Sequence, residues 1–217
     1  MAGIVLGSFC VPAAAPAAVA SGAQGGQGFL RQLRRPGVLA FFACVGLMQL
    51  SHGPYYTFLS IHLEALGYGR GTIGLLWALG VVAEIVLFLV MGRVLARFSL
   101  RQILIASVLI AALRWLLLGY LAEHLALLLL AQLLHAATFG SFHVAAVHFV
   151  QRSFGAQQQG QGQALYATLA GVGGALGALY AGYSWNGLGA GTTFALASLA
   201  ALAAAVIIAI PLQEERA

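Results

Sequence analysis

Six apolar runs of roughly 20 residues alternate with short polar connections along the chain: Val38 to His62, Thr72 to Gly92, Gln102 to Leu121, Leu125 to Val150, Ala164 to Tyr183 and Thr192 to Pro211. A helix rising about 1.5 Å per residue crosses a hydrocarbon layer about 30 Å thick in such a run. The pattern therefore predicts an all-α membrane protein, a six-transmembrane-helix bundle. Gly53-Pro54 interrupts the first run; proline lacks a backbone donor and clashes with the preceding turn, which predicts a break or kink there. In the fifth run the pairs Ala167/Gly171, Ala170/Gly174, Gly173/Gly177 and Ala178/Gly182 place small residues one turn apart, a pattern that lets helix backbones approach closely in lipid.

The first 30 residues follow another pattern. Met1 to Ala20 is a short apolar stretch broken by Pro12 and Pro16, and Ser21 to Gly28 is a Gly/Gln/Ala linker. Ala18-Val19-Ala20 has the form of a signal-peptide cleavage site, but no basic segment precedes it. The reading adopted is the end of a preceding helix plus a cytoplasmic linker over residues 1–30, with the six-helix bundle over residues 31–217. Gln157 to Gln163 reads as a flexible polar connection between the fourth and fifth runs.

Composition narrows the class. The 217 residues are 61% hydrophobic and 7% charged, with a further 28 glycines, whereas soluble domains are roughly 45–50% apolar and 25% charged. A mean hydropathy of +0.94 excludes disorder, which needs low hydrophobicity and high net charge. The net charge of +5 arises from ten arginines and five glutamates, with no lysine or aspartate. The arginines form no aromatic-interleaved basic face, so nucleic acid is not a partner this sequence indicates. Their placement instead orients the bundle: Arg31, Arg34, Arg35, Arg93, Arg97, Arg101, Arg152 and Arg216 all fall on one side, and only Arg70 on the other. By the positive-inside rule both termini are cytoplasmic. Cys10 and Cys44 form no redox or metal motif.

Ionisable groups inside the hydrocarbon region cost a few kcal/mol each and call for a partner or a purpose. Glu84 and His135 lie roughly 18 Å and 15 Å below the outer edge, and Arg114 has its Cα about 20 Å above the inner edge. An arginine's reach brings all three to one layer. Two readings follow: a structural Glu84–Arg114 ion pair with a hydrogen-bonded histidine, or a substrate and proton site, since transporters bind at mid-depth. In the second, Arg114, which keeps its proton, holds a carboxylate through both edges of its guanidinium. Glu84 and His135 exchange protons, and protonation of Glu84 frees Arg114. Gln132, His135, Phe139 and Phe142 follow helical spacing on the fourth run, as do Gln49, His52, Tyr55 and Tyr56 on the first. Rings interleaved with polar groups suit a flat aryl carboxylate, although aromatic stripes also serve packing and interface anchoring. His143 and His148, at i and i+5, make a poor metal pair, and neither HExxH nor GxSxG occurs. No cofactor or catalytic residue is expected, and an intramembrane enzyme or redox subunit is the alternative from another class.

Several motifs carry a family resemblance. Gly92-Arg93-Val94-Leu95-Ala96-Arg97-Phe98-Ser99-Leu100-Arg101 resembles the G-x-x-x-D-R-x-G-R-R loop of the major facilitator superfamily, with Ala96 at the Asp and Ser99 at the second Gly. Gln49-Leu50-Ser51-His52 with Tyr55-Tyr56, Trp77 to Glu84, Arg114-Trp115, Gln132 to His135 with Thr138-Phe139 and His143, and Gln163 to Tyr166 resemble the C-terminal half of its phenylpropionate permease branch, related to lactose permease. The resemblance implies half of a twelve-helix fold in the cell inner membrane and an N-terminal six-helix half as partner. It also implies symport of protons with a small carboxylate such as 3-phenylpropionate, and a gating loop containing Gly92, Arg93, Arg97 and Arg101. Glu84, Arg114 and His135 match the Glu, Arg and His of the lactose permease machinery. One turn further on, Thr138 stands where that permease has a proton-carrying carboxylate, which leaves Glu84, His135 or the other half as carrier. A truncated or interaction-only half without activity of its own remains the alternative within the family.

Overall fold

A computed structural model describes residues 22–209, and the described residues contain helices and turns but no strand. A short helix, α1 (Gly22–Leu33), precedes the first crossing. That crossing is split into α2 (Pro36–Ser51) and α3 (Gly53–Ala65), with His52 at the joint and Pro54 in the first turn of α3. Next come α4 (Arg70–Arg97), α5 (Leu100–Tyr120), α6 (Leu125–His135), a π-helical segment (Ala136–Gly140), α7 (Ser141–Ser153) and α8 (Gln159–Ala209). A straight helix of 51 residues would be about 75 Å long, more than twice the hydrocarbon thickness. Gly189 resolves the conflict: at φ 81° and ψ 170° it interrupts the helix with a backbone conformation that glycine adopts at little steric penalty. Residues 159–188 and 190–209 are thus the fifth and sixth crossings of a multi-pass helical membrane bundle.

The crossings extend beyond the apolar runs, and the connections shrink accordingly. Helix α4 continues through Gly92, Arg93 and Arg97, and only Phe98 and Ser99 separate it from α5, which already contains Arg101. The expected gating loop is therefore mostly helix. Its physical cause is a capping box: the Ser99 hydroxyl accepts from the Gln102 amide while the Gln102 side chain accepts from the Ser99 amide, so α5 starts abruptly. Arg101 donates to the Ala209 carbonyl near the end of the sixth crossing. These four residues lie at helix ends and do not join the buried polar cluster. The polar connection expected over Gln157 to Gln163 is likewise helical from Gln159 onward, and the Gly/Gln/Ala linker is helical from Gly22. The stretch Met1 to Ala20, Pro211 and Arg216 lie outside the described residues.

Helix α8 holds the bundle together by packing on α2, α3 and α5. Of its small-residue pairs, Gly173/Gly177 faces the first crossing. A Cβ on Gly177 would sit 2.5 Å from the Leu50 carbonyl oxygen, and one on Gly173 would collide with the Gly46 carbonyl. Leu50 is the carbonyl that Pro54, lacking an N–H, leaves without its helical donor, so the closest approach occurs at the break. Gly171, Gly174 and Gly182 face open space. Gly177→Ala is expected to destabilise the bundle by about 1–3 kcal/mol through overpacking, while Gly174→Ala stays within about 0.5 kcal/mol. Thermal unfolding in nanodiscs checks this, and equal effects would contradict the assigned face.

Candidate functional site

Two departures from regular helix build the site. At Ala136–Gly140 the Ser141 amide bonds the Ala136 carbonyl five residues back, and the Thr138 hydroxyl donates to the His135 carbonyl at 3.1 Å. Such single π turns occur frequently at functional sites. Across this turn the His135 and Phe139 rings lie nearly parallel, with centroids 5.5 Å apart and an interplanar angle of 13°. In the first crossing, the joint at His52 places His52, Tyr55 and Tyr56 opposite those rings. Helix α4 lies directly against the π segment: a Cβ on Gly140 would come within 3.0 Å of Leu87 Cδ2, and Gly80 faces His135.

Arg114 is the centre of this cluster. It has no solvent exposure, and its Nε donates to the Ala131 carbonyl at 2.7 Å. The terminal nitrogens make longer bonds, Nη1 to Thr138 Oγ1 at 3.4 Å and Nη2 to Gln132 Oε1 at 3.5 Å. The guanidinium carbon lies 4.1 Å from the Tyr55 ring centroid and 4.8 Å from that of Trp115, so both ring faces stabilise its charge. Every one of these partners is neutral. Among the described residues no carboxylate comes within ion-pairing distance of Arg114.

The pairing differs from the expected Glu84–Arg114 bridge. Glu84 Oε1 stands 2.9 Å from His135 Nε2. Depth along the membrane normal brought the three groups to one level, but helix rotation decided the partners: α4 packs on α6 and the π segment, so Glu84 meets His135 first. Thr138 links the guanidinium to the backbone of His135: its hydroxyl accepts from Arg114 and donates to the His135 carbonyl.

Around these charges lies an aromatic slot. Gln132, fully buried, donates to the Leu76 carbonyl at 3.0 Å and accepts from the Tyr55 hydroxyl at 3.2 Å. His52 packs edge-on against Trp115 at 4.8 Å and lies about 6 Å from the rings of Tyr56 and Phe139. Tyr56 is half exposed and Phe139 partly so, which leaves one side of the slot open. Thus Glu84, Arg114, Gln132, His135, Phe139, His52, Tyr55 and Tyr56 come together. Phe142 does not, being part of the apolar core, and Gln49 packs against Gly173. The motif reading gave no site role to Trp115, which walls the slot, or to Tyr166, whose hydroxyl lies 2.8 Å from His143 Nδ1. Both residues stood in motif matches, so the signal was present. Among the described residues no group of three potential metal ligands gathers.

Six helical crossings with a buried, permanently charged side chain among rings on a partly open face define a polytopic membrane protein with an intramembrane polar site. Residues 5–196 match the MFS_1 like family, and the chain belongs to that family within the major facilitator superfamily, in its phenylpropionate permease branch. It is 35% identical over 162 residues to the "Probable 3-phenylpropionic acid transporter" of Escherichia coli (strain K12), a match covering 74% of this chain and 42% of that relative. The chain therefore spans less than half the length of the curated relative it matches. No solved structure matches it.

Gln132, on α6, bonds α3 through Tyr55, α4 through Leu76 and α5 through Arg114, so Gln132→Leu removes the acceptor of the Tyr55 hydroxyl and of one Arg114 nitrogen in the interior. The expected loss is about 1–3 kcal/mol, read by thermal unfolding of the purified protein. An unchanged midpoint would show that this network is not stabilising.

Proposed function

We propose that the chain is the C-terminal half of a proton-coupled secondary transporter for small aryl carboxylates such as 3-phenylpropionate, lying in the cell inner membrane with both termini cytoplasmic. The observation that carries this reading is the fully buried Arg114 with only neutral partners. A buried cation lacking its counter-ion is expensive, and an anion arriving from outside the protein supplies what is missing. The short Nε bond to Ala131 fixes the guanidinium, while the long bonds from its terminal nitrogens are the ones a carboxylate would replace with two charge-assisted bonds. The Tyr55 ring covers the guanidinium and has to move aside for this. The break at His52 gives α3, which carries Tyr55 and Tyr56, a place to pivot. The ligand's ring would then lie among His52, Tyr56, Phe139 and His135.

Glu84 and His135 form the proton-exchanging pair in this account, with Thr138 passing the arrival of the anion from Arg114 to His135. Family membership and the named relative support transport rather than catalysis. The 42% coverage of that relative favours a second form of the same reading, in which the chain transports only together with an N-terminal six-helix half.

Uptake of labelled 3-phenylpropionate under an inward proton gradient tests both, with the chain alone and joined to a family N-terminal half. The joined protein is expected to accumulate the acid. Arg114→Gln should reduce uptake at least 100-fold, roughly the loss of a buried charge pair, and Glu84→Gln should abolish the response to the gradient. Full uptake by the arginine variant would overturn the proposal, and activity of the chain alone would show that half suffices.

A further inference from the structure

His52 has a chemistry that carboxylate binding does not use. Its Nδ1 lies 2.8 Å from the Met48 carbonyl oxygen, and a carbonyl oxygen only accepts, so Nδ1 carries the hydrogen. The ring packs against Trp115, which also faces the Arg114 guanidinium. A second cation beside Arg114 would have no anion of its own, so the imidazole is neutral. In that tautomer Nε2 is a bare acceptor. It is buried and has no hydrogen-bond partner among the described residues. An unsatisfied buried acceptor is a standing penalty, and none of the rings around it, Trp115, Tyr56, Phe139 and His135, donates to it: the Trp115 indole N–H, the adjacent donor, is likewise without a partner among the described residues.

We propose that His52 reads a hydroxyl on the substrate's ring, so that the preferred ligands of this site are hydroxylated aryl carboxylates. This inference rests on the aryl-carboxylate reading above. With the carboxylate held at Arg114, the aryl ring lies beside His52. A carboxylate oxygen would meet the Nε2 lone pair unfavourably, whereas a phenolic O–H donates to it. A site built around such an acceptor discriminates against the analogue that lacks the donor, because binding the bare ring leaves Nε2 unpaired.

The test is equilibrium binding of 3-phenylpropionate, 3-(3-hydroxyphenyl)propionate and 3-(4-hydroxyphenyl)propionate to the full chain joined to a family N-terminal half in nanodiscs. At least one hydroxylated acid should bind about tenfold tighter than the unsubstituted one. His52→Gln, whose amide oxygen can occupy the Nε2 position, should keep that ratio. His52→Asn, which can still donate to Met48 but has nothing at the Nε2 position, should bring it close to one. Equal affinity for all three acids in the unmodified protein, or a preference that survives His52→Asn, overturns the inference and leaves the carboxylate reading standing. Should His52→Asn not fold, His52→Phe, which keeps the ring's bulk and carries no acceptor, takes its place: a ratio close to one supports the inference and a retained ratio overturns it. If none of the three acids binds, both readings fall.

Discussion

The guanidinium of Arg114 sits in the interior of a bundle designed for lipid, bonded to one backbone carbonyl and two neutral side chains and covered by two aromatic rings. Much of the surrounding architecture follows from accommodating it. The Ala131 carbonyl takes the Nε hydrogen, and Gln132 presents its oxygen to Arg114 while its nitrogen is anchored on Leu76. Tyr55 contributes both its ring face to the cation and its hydroxyl to Gln132. These contacts soften the cost of the charge without cancelling it, because none of them is an anion. The nearby carboxylate, Glu84, stands 2.9 Å from His135 Nε2 rather than beside the guanidinium, and this separation of cation from acid is the electrostatic property on which the functional proposal depends.

Regular helices alone would not have brought these groups together. Three local irregularities do so: the joint at His52 ahead of Pro54, the π turn after His135 and the reversal at Gly189. The first and second lie directly at the polar cluster, where unwound or overwound backbone is tolerated because protein, not lipid, surrounds it. The third turns the chain back so that the sixth crossing packs on α5, with Gly191 against Tyr120 and Gly119 against Phe194. The backbones of the first and fifth crossings meet at Gly53/Gly177, so a pivot of α3 at His52 turns about that contact.

The crossings themselves were legible from length and hydropathy, as was the break at Gly53-Pro54, because both follow from local chemistry that no distant contact overrides. The layer of Glu84, Arg114 and His135 was legible for a related reason: an ionisable residue in a long apolar run is conspicuous, and rise per residue converts position into depth. Depth says nothing about rotation, so the partner of Glu84 could not be read. The span limits were misplaced wherever polar residues continue a helix beyond the hydrocarbon layer, as Arg93, Arg97 and Gln159 do. The π turn over Ala136-Ala137-Thr138-Phe139-Gly140 has no composition that sets it apart from α-helix. The orphaned nitrogen of His52 depends on which of its two nitrogens meets the Met48 carbonyl, a matter of side-chain geometry alone.

The account stands on Arg114 being a cation that waits for an anion. The most direct measurement compares equilibrium binding of 3-phenylpropionate with that of its neutral primary amide, which keeps the shape and removes the charge, in the unmodified protein and in Arg114→Met. The account predicts that the acid binds at least about tenfold tighter than the amide, as a charge-assisted pair requires, and that this preference disappears with Arg114. Equal binding of acid and amide in the unmodified protein would contradict it.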